Sequence, residues 1–141
     1  MAAMRALAIP PGEYVLPHAG TTAAMNDPAY REKVQAGPVA FLTVLTNELP
    51  RMGKSLLLWF VYCLVVGTFV GYVTSRALGA GADYMADFRF TGTVAFVGYT
   101  VANWQNSIWY ARKWSTTAKN TVDGLVYALL TAGLFSWLWP W

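Results

Sequence analysis

Charge is what this chain lacks most. Only 12% of its 141 residues are Asp, Glu, Lys or Arg, against about 25% in an ordinary soluble domain. The deficit is concentrated: no charged residue occurs from Ser55 to Ser75, and none from Gly124 to Trp141. Uncharged runs of about 20 residues match the length of helix that crosses a ~30 Å hydrocarbon core. Cysteine is nearly absent. The single one, Cys63, supports neither a disulfide framework nor a zinc site. Histidine is equally scarce. His18 lies outside every apolar run, so no span offers the imidazole that usually ligates an intramembrane haem. With no second His or Cys beside it, His18 reads as an ordinary exposed or hydrogen-bonded side chain.

Motifs for chemistry are missing too. The stretch GAGAD at 79–83 lacks the helix and lysine that complete a phosphate-cradling loop. No Ser/His/Asp set can be assembled inside a membrane from these residues. These absences argue against an enzyme, and no cofactor is expected. The start, MAAMRALAIPP, has too short an apolar piece for a signal peptide, so it reads as retained. The net charge of +3 comes from basic residues near helix ends. There they orient a chain on lipid headgroups, and nucleic acid is not an expected partner.

What the chain does have is apolar bulk: 56% hydrophobic and 16% aromatic residues. The expected fold is an all-α membrane protein with three transmembrane helices, an irregular N-terminal arm and a short interfacial segment. The arm covers 1–36, where prolines and turn signals dominate; EYVL and AYREKVQ allow a short strand and a short helix. The interfacial segment covers 37–53. As a helix it puts Phe41, Leu42, Leu45 and Leu49 on one face, although its β-branched residues also permit a strand. The bundle covers 54–141, with spans at about 55–78, 90–111 and 122–139.

Basic residues set the expected orientation. Arg31, Lys33, Arg51 and Lys54 precede the first span, and Arg112, Lys113 and Lys119 separate the second from the third. The first loop carries only Arg76 and Arg89. The N-terminus is therefore expected in the cytoplasm and the C-terminus outside. Trp137, Trp139 and Trp141 would form an outer aromatic belt, and Trp109 and Trp114 an inner one. In the first span, Gly67 and Gly71 have the four-residue spacing that lets another helix backbone approach closely.

The sharpest question is posed by VANWQNSIWYARKW at 101–114, where three carboxamides interrupt a span. Such groups are costly in hydrocarbon unless bonded. On a continuous helix Tyr99, Asn103, Asn106, Ser107 and Tyr110 share a stripe with Gly92 and Phe96, while Gln105 points nearly the other way. From Arg112, the helical rise puts Asn106 about 9 Å deep and Asn103 about 13 Å. The stripe reads as helix–helix contact, and Gln105 as the mark of an outside partner. Asn120 followed by Asp123 resembles a capping box at the start of the third span. Asp83, Asp87 and Arg89 read as a solvated loop.

The C-terminal third resembles a group of small bacterial membrane proteins with no assigned activity. Ser107-Ile-Trp109, Trp114 and the run DGLVYALLTAGLFSWLWP from Asp123 to Pro140 carry the resemblance. WFVYCLVVGTFVGY in span one and GEYVLPHAG near the start extend it. It implies a bacterial inner-membrane protein and transfers no site residues. The expected role is a non-catalytic accessory or assembly subunit of a larger membrane complex, with lipid and other membrane subunits as partners. The alternative is a small oligomeric transporter or channel, with the Asn103/Asn106 face lining a polar path.

Overall fold

The computed structural model describes residues 2–49 and 51–139. They form two units, divided after Pro50.

In the first unit the strand at EYVL and the helix at AYREKVQ that the sequence allows both form, and the segment expected at the interface contributes a strand. A short helix α1 (Ala2–Ala6) precedes strand β1 (Gly12–Leu16), helix α2 (Pro28–Ala36) and strand β2 (Ala40–Val44). The strands pair antiparallel, with Tyr14 opposite Leu42 and Gly12 opposite Val44. The run AFLTV therefore resolves as strand. Its alternation leaves Leu42 and Val44 half-buried and Phe41 and Thr43 exposed, the period of two expected of a sheet. Asp27 starts α2 by accepting the Ala29 amide at 2.9 Å, with Pro28 at the first helical position. Gly37, with φ of 64°, ends it. The Tyr30 hydroxyl ties α2 to the carbonyl of Pro17 at 3.2 Å.

The second unit is helical: α3 (Met52–Ala77), α4 (Tyr84–Thr100), a 3-10 turn at Val101–Asn103, α5 (Trp104–Trp109) and α6 (Trp114–Leu138). Among the described residues two helices, α3 and α6, are long and apolar enough to cross a membrane. Their most apolar windows are only 11% and 22% buried. Leu56, Leu57, Leu58, Phe60, Leu64 and Phe69 of α3 all face outward. An exposed apolar surface of that extent points to membrane insertion.

The second span departs from expectation. It is not one helix over 90–111. Helix α4 begins at Tyr84, because Asp83 caps it by accepting the Met85 amide at 3.1 Å, and it ends at Thr100. At the break the Thr100 hydroxyl bonds the Phe96 carbonyl at 2.6 Å, and the Asn103 amide bonds the Tyr99 carbonyl at 3.0 Å. Thr68, Thr121 and Thr131 make the same kind of bond within unbroken helices.

Helices α3, α4 and α6 meet along rows of every fourth residue: Val66, Val70 and Thr74; Asp87, Thr91 and Ala95; Gly124, Ala128, Ala132 and Ser136. All ten are buried. The register is antiparallel between α4 and α6. A Cβ on Gly92 would lie 3.2 Å from that of Ala132, and one on Gly124 would collide with the Thr100 methyl. The tightest approach is therefore at Gly124, and not at the Gly67/Gly71 pair that the sequence favours. Gly71 does make room for the Phe135 ring, at 3.1 Å, but nothing lies within 4 Å of a Cβ at Gly67. Small residues at four-residue spacing allow this closeness, and the α6 row is a longer such series than the one in α3.

Candidate functional site

Helix α4 contacts both α3 and α6. Between the three helices a cleft of about 290 Å³ opens, lined by Trp59, Tyr62, Tyr99, Asn103, Asn120, Asp123, Gly124 and Tyr127. Its walls are aromatic and mutually braced. Trp59 meets Tyr127 edge to face with centroids 5.6 Å apart. Tyr127 meets Tyr99 at 6.0 Å, and Tyr99 meets Tyr62 at 5.9 Å. Such T-shaped pairs each add about 0.5–1.5 kcal/mol beyond burial. The Tyr62 hydroxyl is held by the Gly98 carbonyl at 2.8 Å.

Among the described residues that line the cleft, Asp123 alone is charged. The capping-box expectation fails because α6 begins at Trp114, well before Asn120. Asn120 and Asp123 are interior to the helix. With Tyr127 they form a row at three- and four-residue spacing that faces the cleft. Asp123 is exposed, and among the described residues no ion pair reaches it. A carboxylate, ring faces and carboxamides together favour a cation.

The predicted contact residues divide around this site. Tyr99 and Asn103 line it. Asn106 lies beyond the 3-10 turn on α5, half-buried, and its backbone carbonyl accepts the amides of Tyr110 and Arg112 at 3.2 Å each. Tyr110 is exposed at the end of α5. Gln105 is not left over: its carbonyl oxygen accepts the Trp109 indole N–H at 2.9 Å, one turn on along α5. Trp109, Trp114 and Trp137 are exposed. Trp139 is half-buried, its indole donating to the Gly79 carbonyl at 3.3 Å. Trp141 lies outside the described residues.

Sequence reasoning missed Trp59, Tyr62 and Tyr127 as a group, because they lie on two helices distant in sequence and meet only around Tyr99. It also placed Asp87 in a solvated loop. With α4 starting at Tyr84, Asp87 falls on the buried row and is 0% exposed. Its Oδ1 accepts the Thr91 hydroxyl at 3.2 Å, and the Thr91 and Thr74 hydroxyls stand 3.2 Å apart. Its Oδ2, and the buried Ser136 hydroxyl, have no hydrogen-bond partner among the described residues.

Fold and cleft define a class: a mostly helical chain with two helices able to cross a membrane and an acidic, aromatic-walled cleft between them. Compared with known protein families, curated proteins and solved structures, the chain matches none.

Proposed function

We propose that this chain is a non-catalytic assembly subunit of a larger membrane complex, with the Asp123 cleft receiving a basic side chain from a partner subunit. The observation that carries the reading is Asp123 itself, exposed in an apolar helix with no ion pair among the described residues. About 22 Å of helix separate it from Leu138 at 1.5 Å per residue, so a ~30 Å core ending there contains the carboxylate. Acids at such positions usually pair with a base or line a functional path. The cleft's volume of about 290 Å³ suits a side chain and not another helix.

The membrane is a bacterial inner membrane, entered with the N-terminus in the cytoplasm. Helices α3 and α6 run parallel, so α4 and α5 make the return pass as a broken helix. Its irregular turn lies against α6, where Trp104 bonds Thr121 at 3.0 Å, and shelter of that kind lets non-helical backbone sit at membrane depth.

Affinity purification in mild detergent tests this. Partner subunits are expected with the wild type and with Asp123→Glu, and not with Asp123→Asn. Recovery of the wild type only as a monodisperse homo-oligomer would overturn the proposal. The transporter alternative draws on Asn103 in the cleft wall. Its continuous Asn103/Asn106 face is weakened by the 3-10 turn between α4 and α5. Flux into proteoliposomes that Asn103→Leu abolishes would favour it; no flux would remove it.

A further inference from the structure

We propose that the buried cluster of Asp87, Thr91, Thr74 and Ser136 binds a monovalent hard cation, of which sodium is the probe. It stands apart from the Asp123 cleft and does not depend on a partner occupying that cleft.

All four residues are 0% exposed. A buried polar atom normally has at least one hydrogen-bond partner, because an unpartnered one forfeits its hydration. Here Oδ2 of Asp87 has none among the described residues, and neither has the Ser136 hydroxyl. These two atoms lie on facing rows. Rows of every fourth residue run Asp87, Thr91, Ala95 on α4 and Ser136, Ala132, Ala128 on α6. With Gly92 against Ala132, Ser136 falls at the level of Asp87. The dipole of α4 favours a carboxylate in its first turn, but it leaves Oδ2 unbonded.

The spacing is compatible with a shared ion. The Asp87–Thr91 and Thr91–Thr74 oxygens stand at 3.2 Å. Oxygens at about 2.3–2.6 Å from a shared hard cation lie roughly 3.2–3.7 Å from one another in an octahedral array. The donor set is all oxygen, which excludes soft metals. It holds one negative charge, and among the described residues no group of three His, Cys, Asp or Glu gathers. Calcium sites use several carboxylates; a single one balances a monovalent ion. The site lies one turn inside α4, next to the connection from α3.

The test uses the full chain in lipid nanodiscs. Thermal unfolding is measured in sodium, potassium and choline chloride at equal ionic strength. Sodium is expected to raise the midpoint saturably above choline. The half-saturating concentration is expected to rise about tenfold in Ser136→Ala and Thr74→Val, the loss of one oxygen ligand each. In Asp87→Asn the sodium effect is expected to vanish. Equal midpoints in all three salts would overturn the proposal, as would a sodium effect left unchanged by the Ser136 and Thr74 variants. The latter two keep the result decisive should Asp87→Asn fail to fold. A bridging water in place of the ion would give no dependence on the salt's cation, and so counts against it.

Discussion

Gly124 shows how much one missing methyl decides. A Cβ there would run into the Thr100 methyl and come within 3.5 Å of the Tyr99 Cβ. Overpacking of this type costs about 1–3 kcal/mol. Gly124→Ala is therefore expected to lower the thermal unfolding midpoint in detergent, and the mechanism can be isolated. Thr100→Ser removes the offending methyl but keeps the hydroxyl that bonds the Phe96 carbonyl, so the double variant should regain most of the loss. Gly67→Ala meets nothing within 4 Å and is expected to leave the midpoint unchanged. Equal effects at 67 and 124 would contradict the packing described.

At the scale of elements, the two long apolar helices were legible and the pass between them was not. An uncharged run announces a span by itself, and α3 and α6 contain those runs. The middle pass breaks at 101–103 without a proline or glycine, and no composition rule flags that. The start of α6 was misplaced for a related reason. Lys113 makes no side-chain cap, while Asn120 and Asp123 mimic one. The same error hid half of the candidate site, since Asp123 was assigned to a helix end instead of a helix face. Asp87 was hidden likewise, by a boundary placed at Phe90. The corner between α5 and α6 carries its own expectation. Ala111 sits there at φ of 51°, a left-handed conformation that costs a non-glycine residue roughly 1–2 kcal/mol. The turn also depends on the Ser107–Thr117 hydroxyl bond at 2.5 Å. Ala111→Gly is expected to be neutral or stabilising. Ala111→Val should destabilise by more than 1 kcal/mol, because a branched Cβ fits that region poorly. Unfolding midpoints of the two variants, compared directly, decide it.

Over the whole molecule, burial is very unevenly shared. Residues 51–139 hold every fully buried side chain among those described: the valines and alanines of the core, and the polar residues that extend its rows. Residues 2–49 hold none, and their sheet has only two strands. Two-stranded sheets are marginal in water unless another surface covers them, and local opening is easiest where few apolar contacts resist it. Amide hydrogen exchange on the chain in nanodiscs is therefore expected to be fast across β1 and β2. It should be slow over Val66–Thr74, Thr91–Ala95 and Gly124–Ser136. The contrast should exceed what strand and helix hydrogen bonding alone produce, because the α4 and α6 amides open only with the seam between those helices. Slow exchange in β1 and β2 would be informative in a specific way. The outward face pairs Val15 with Phe41, both exposed, and protection there would require a surface from outside this unit. Repeating the measurement with the complex recovered from native membranes then separates the two cases. Protection present only in the complex assigns the cover to a partner subunit; protection in the isolated chain refutes the marginal sheet.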